Sequence, residues 1–137
     1  MPPDPIRIAE VKAWLTKAEI DQRAGEFELT ATPPITADIV FHAQQLVEKS
    51  LKAFLSWNDI PFRKTHNLVE LGEKCVQLDK TLEALLKSAS TLTEYAWKFR
   101  YPGDIEDPSE EEAREALDLA KLVYGAILER LSEAERP

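Results

Sequence analysis

The sequence predicts an all-α fold, an antiparallel up-and-down bundle of about five helices. Three observations predict it. Apolar residues recur at three- and four-residue steps in each long segment, no segment alternates apolar and polar residues over the length of a strand, and the breaks between segments are short. Each segment has one apolar face, and packing helix against helix buries them all.

The first helix opens at Asp4-Pro5, a capping residue followed by proline at the first helical position, where its missing N–H is not needed. Ile8, Val11, Trp14, Leu15 and Ala18 keep the helical step, and the helix ends near Thr30, because Thr32-Pro33-Pro34 cannot continue it. The second runs from Thr36 to about Trp57 with no Gly or Pro inside, its apolar face made by Ile39, Ala43, Leu46, Val47, Ser50, Leu51, Phe54 and Leu55. Asn58-Asp59-Ile60-Pro61 stops it. Asn67-Leu68-Val69-Glu70 reads as a capping box for a third helix over Leu68 to Val76, with Thr65 a rival cap. Asp79 begins a segment through Leu82, Leu85 and Leu86, and Thr91-Leu92-Thr93-Glu94 reads as a second capping box leading towards Arg100. Tyr101-Pro102-Gly103-Asp104 is a turn. Ser109, with Glu110, Glu111 and Glu112 at the positive helix end, then caps a last helix running to about Glu133.

At 137 residues the chain has the size of one domain, 1–137, and 44% hydrophobic against 31% charged residues suits a packed core. Its longest apolar stretches are far shorter than the roughly 20 residues needed to span a bilayer, and Met1-Pro2-Pro3-Asp4 lacks the basic and apolar regions of a secretory signal. A cytoplasmic protein without membrane contact is expected. A net charge of -8 repels polyanions at long range, so any nucleic-acid site must be a local basic patch. Cys75 is the only cysteine, which excludes an intramolecular disulfide and a cysteine metal cluster, and a buried thiol is the expectation.

Three clusters can carry chemistry. On a helical wheel of the second helix, His42, Gln45, Lys49 and Lys52 fall in a stripe roughly 80 degrees wide, opposite the apolar face, with Phe41 beside them. Such an edge can meet phosphates or bases, or can be a solvated face with both lysines paired to acids; Phe41 and Gln45 also fit contact with a partner helix. Phe62-Arg63-Lys64-Thr65-His66-Asn67 places two cations and a His before a helix start, either as a phosphate site or as capping. Tyr95, Trp97, Lys98, Phe99, Arg100 and Tyr101 interleave aromatic and basic side chains, as stacking on bases requires; on a helix, however, Trp97 and Phe99 point about 200 degrees apart, so one can be core. There is no Gly-rich phosphate loop, no G-x-S-x-G elbow and no His-Glu-x-x-His pair, and two histidines alone do not make a zinc site, so no metal and no cofactor is expected.

Trp14-Leu15-Thr16-Lys17-Ala18-Glu19, the run Phe41-His42-Ala43-Gln44-Gln45-Leu46-Val47-Glu48-Lys49, then Lys64-Thr65-His66-Asn67-Leu68 and Arg100-Tyr101-Pro102-Gly103-Asp104, together closely resemble the HEPN (higher eukaryotes and prokaryotes nucleotide-binding) family. The resemblance covers almost the whole chain. It implies an all-α bundle, usually a homodimer, and small prokaryotic members of this kind are commonly encoded beside a minimal nucleotidyltransferase in a toxin-antitoxin-like pair. Many HEPN proteins are metal-independent ribonucleases whose motif is an Arg followed, after four to six residues, by a His. That motif is absent here: the positions required before His42 hold Ile35, Thr36 and Ala37, and those before His66 hold Asp59, Ile60 and Pro61.

The leading expectation is therefore a non-catalytic module that binds a nucleotide, RNA or a nucleotidyltransferase partner through His42, Gln45, Lys49, Lys52, Lys64, His66 and Arg100. One alternative is an atypical ribonuclease toxin using His66, Arg63 and Arg100. Another is a structural dimerisation module that buries Phe41 and Gln45 and binds no nucleotide.

Overall fold

The computed structural model describes residues 4–103 and 105–131. Asp4 accepts a hydrogen bond from the Ile6 N–H and Pro5 takes the first helical position of α1 (Pro5–Leu29). After the prolines, α2 (Thr36–Trp57) ends where the Asn58 side chain donates to the Phe54 carbonyl. The two helices are antiparallel, as the facing pairs Arg7 with Asp59 and Glu28 with Asp38 require.

α3 (Leu68–Leu78) is capped by Asn67, whose side chain accepts from the N–H groups of Val69 and Glu70. A short 3₁₀ turn, Lys80–Leu82, leads into α4 (Glu83–Ala89), which runs on as the 3₁₀ stretch Ser90–Ala96. Finally α5 (Glu110–Glu129) is capped by Ser109, which accepts from the Glu112 N–H. Among the described residues there is no strand, and no helix is long and apolar enough to cross a membrane.

Every position expected to be helical lies in or beside a helix, with three differences of detail. The Thr91–Glu94 box does not open a new helix: Thr91 and Thr93 turn their hydroxyls back onto the Ser88 and Ser90 carbonyls, so the backbone tightens into 3₁₀ geometry and stops at Ala96. The last helix ends at Glu129, with Arg130 as its C-cap; residues 132–137 of the expected extension lie outside the described residues, as does Asp104 of the expected turn. Third, the segment 58–67 runs back along α2 and does not lead directly into a neighbouring helix. His66 thereby lies beside Gln44 and Glu48, and Cys75 beside Leu51.

α2 occupies the centre, with α1, α3, α5 and the Ser90–Ala96 stretch packed around it. The expectation that His42, Gln45, Lys49 and Lys52 form an exposed stripe opposite the apolar face is corrected by this placement. Gln45 and Lys52 are 9% and 7% exposed, because α1 and the returning 58–67 segment cover what would otherwise be the polar side of α2. Close approach of α1 depends on Gly25: a Cβ there would stand 3.0 Å from Leu117 of α5 and 3.8 Å from the Cβ of His42. Cys75 is buried as expected, and burial pushes its thiol up to about 12, so it is inert as a nucleophile.

Candidate functional site

Two polar networks lie along α2, and the residues singled out in the sequence divide between them. The first is organised by Glu48, whose side chain is only 5% exposed. One carboxylate oxygen accepts from His66 Nδ1 at 2.6 Å and from Gln44 Nε2 at 3.3 Å; the other accepts from Lys52 Nζ at 3.0 Å. Gln44 also donates to the His66 carbonyl at 3.0 Å and accepts from Gln45 Nε2 at 2.6 Å. Lys52 lies over the rings of Trp14 and Phe62, at 5.3 and 5.8 Å from their centroids. Every strong donor and acceptor here is matched, as burial demands.

This network fixes His66 without hiding it. With Nδ1 donating to Glu48, Nε2 is the remaining ring nitrogen, and the side chain is 65% exposed. Lys64, two residues earlier, is exposed and has no ion-pair partner among the described residues. On an adjacent turn of α2, Phe41 lies beneath the Arg100 guanidinium, 4.0 Å from its carbon to the ring centroid. Arg100 is exposed and likewise has no carboxylate partner among the described residues. Arg63 differs: it is held by Glu70 through contacts of 2.8 and 3.1 Å, and this pairing draws the Glu70 carboxyl down. Of the aromatic run, Phe99 stacks on Tyr95 and packs on the core, whereas Trp97 and Tyr101 are exposed and Lys98 is paired to Glu94, so the opposite pointing of Trp97 and Phe99 holds.

The second network surrounds His42. Its Nδ1 is 2.8 Å from Asp21 Oδ1, and its Nε2 is 3.3 Å from Asp38 and 3.6 Å from Glu28. Lys49 binds the other oxygen of Asp21. The hydrogen bond that His42 donates to Asp21 raises the imidazole above its ordinary value, against the opposing effect of burial. Burial, then a hydrogen bond with Asp38 and that carboxyl's charge, pushes the Glu28 carboxyl up to about 7. Asp21, Glu28 and Asp38 surround His42 with negative charge, a setting that repels phosphate. The structure thus gives His42 and His66 separate carboxylate networks, and it buries Gln45 and Lys52 as supports, with Lys49 partly exposed on Asp21.

Sequence reasoning missed Gln44, Glu48, Asp21, Glu28 and Asp38. Gln44, Glu48 and Lys52 stand four residues apart and share a face, a signal visible on the same helical wheel. Asp21 and Glu28 sit on α1 in one row with Ala18 and Gly25, so acids at core-facing positions were the clue there. Asp38 stands four residues before His42 and so shares its face.

No curated protein and no solved structure matches this chain. A family model described as HEPN domain matches residues 11–131, nearly the whole length, so the chain belongs to the HEPN domain family.

Proposed function

We propose that this HEPN domain is the nucleotide- or RNA-binding member of a toxin-antitoxin-like pair with a minimal nucleotidyltransferase, and that it takes a phosphorylated ligand along the edge of Lys64, His66 and Arg100. The observation that carries this reading is His66: its side chain is 65% exposed while its Nδ1 is fixed by a carboxylate that is 5% exposed. A side chain held rigid before its ligand arrives loses little entropy on binding. Arg100 on Phe41 adds a charged plane on which a base can stack while a phosphate meets the guanidinium.

A homodimer is part of the proposal. HEPN domains commonly dimerise, and Ile6, Ala13, Ile20 and Phe27 stand at seven-residue steps on an exposed face of α1, with Ile6 and Phe27 each 77% exposed. The expected interface at Phe41 and Gln45 is displaced by this arrangement, since Gln45 is covered within the chain.

The experiment is a fluorescence-anisotropy titration of a labelled single-stranded RNA, with a nucleoside triphosphate as competitor and the mass of the protein followed by sedimentation. The wild type is expected to sediment as a dimer and to bind with an affinity that falls with salt, by a slope of about -0.7 per phosphate neutralised. His66→Ala with Arg100→Ala is expected to weaken binding at least tenfold without unfolding, because both side chains are exposed. An unchanged dissociation constant in that variant removes the site. A dimer that ignores both RNA and nucleotide leaves the structural dimerisation module.

One observation favours a second reading. The Glu48 carboxylate orients His66 as a carboxylate orients a general base, and Arg100, exposed and without a carboxylate partner among the described residues, is the guanidinium offered to a phosphate transition state. RNA cleavage in the presence of chelator, lost in His66→Ala, would mark an atypical ribonuclease; Arg63, tied to Glu70, has no part in it.

A further inference from the structure

The His42 network has a different chemistry from the His66 edge. We propose that Glu28, Asp38 and His42 form a binding site for one divalent transition cation of the zinc type, held between α1 and α2. Asp38 and His42 share a face of α2 at a four-residue step, and antiparallel packing of α1 brings Glu28 opposite them. The three donor atoms all lie within 4.8 Å of one another. Ligands about 2.0–2.1 Å from a tetrahedral zinc stand roughly 3.3–3.4 Å apart. The imidazole Nε2 already stands 3.3 Å from Asp38 and 3.6 Å from Glu28.

Two further observations point to a cation. The imidazole is oriented for one: Asp21 takes the Nδ1–H at 2.8 Å, Lys49 holds Asp21 in turn, and Nε2 is directed at the two carboxyl groups. This is how a carboxylate behind a metal-bound histidine sets its tautomer and ring orientation. Glu28 Oε1, the oxygen 3.6 Å from His42 Nε2, is buried and accepts no hydrogen bond, on a side chain that is 13% exposed. A buried carboxylate oxygen without a donor is costly, and a cation satisfies it directly.

The donor set selects the ion. One imidazole with two carboxylates suits zinc or its neighbours, whereas magnesium and calcium favour all-oxygen sites. Three protein ligands leave a fourth position. Asp38 also lines a cleft of about 260 Å³ with Ile35, Ala37, Phe41, Phe99 and Arg100, so the site is open to solvent on the Asp38 side.

The test is calorimetric titration of Zn²⁺ into chelator-stripped full-length protein with magnesium in excess. One zinc per chain is expected, with a higher melting temperature in its presence. Glu28→Gln and Asp38→Asn are each expected to weaken binding at least tenfold, and Asp21→Asn to weaken it about 10- to 100-fold by releasing the imidazole. His66→Ala is expected to leave it unchanged. The glutamine and asparagine variants keep the side-chain size, so they fold even if a truncation of His42 does not. Absence of zinc binding by the wild type, or zinc binding unaffected by Glu28→Gln and Asp38→Asn, overturns the proposal.

Discussion

Replacing Glu48 with alanine is expected to destabilise the protein by about 3–5 kcal/mol, the loss that follows when one partner of a buried ion pair is removed. Lys52 would keep its ammonium in a place where its side chain is 8% exposed. The rings of Trp14 and Phe62 remain beneath it, but contacts of that kind supply only about 0.5–2 kcal/mol. Gln44 would lose one acceptor and His66 its anchor. The charge left behind drives the effect, so pairing Glu48→Met with Lys52→Met is expected to recover most of the stability. Urea unfolding of the two single variants and the double variant measures this. A loss below about 1 kcal/mol in Glu48→Ala would mean that water reaches the pair in the folded protein.

The second large effect is on pH dependence. In chelator, stability is expected to fall by on the order of 2 kcal/mol as pH rises from 5 to 8. The Glu28 carboxyl titrates at about 7 in the fold against 4.5 ordinarily, so between those values the folded protein holds a proton that the unfolded chain has released. Stability therefore declines across that window. His42 acts in the same direction: its raised value contributes fully below 6.5 and is lost as pH climbs through the folded value. The groups facing this pair are Asp21 from α1 and Asp38 from α2, with Lys49 bound to Asp21; burial and then Asp38 raise Glu28, and the hydrogen bond to Asp21 with the charges of Asp38, Asp21 and Glu28 raises His42. Glu28→Gln cannot titrate and is expected to flatten the profile and to be the more stable protein at pH 8. A wild-type profile that is flat or rises over this range would contradict the account. Chelator matters, because cation binding strengthens as its ligands lose protons and would oppose the decline.

How much of this was legible in the sequence differs between fold and site. Helix periodicity and chain punctuation placed α2 at Thr36–Trp57 and identified Asp4, Asn67 and Ser109 as caps, because caps and apolar steps are local properties. Which side of α2 meets solvent is not local. A helix whose polar side is covered by another helix reads on a wheel like one whose polar side is wet, and only the position of α1 and of the returning 58–67 segment distinguishes them. Lys49 and Lys52 are paired to acids, Asp21 and Glu48, but on a covered face and not on the solvated one that went with that pairing in the sequence. His66 was found from its place before a helix start, but its partner Glu48 stands 18 residues earlier and was invisible until the loop was seen to run back. Glu28 was missed as a partner of His42, which was read as a phosphate contact, because no spacing rule links residues on two helices joined by a turn.

The central claim is that a phosphorylated ligand meets His66 and not His42. Because the chain contains just two histidines, their imidazole signals can be followed separately by ¹H–¹⁵N NMR during titration with a short RNA or a nucleoside triphosphate, in chelator. The account predicts that the His66 signals shift and saturate with the ligand while the His42 signals, enclosed by Asp21, Glu28 and Asp38, stay in place. Saturable movement of His42 with His66 unmoved would contradict it.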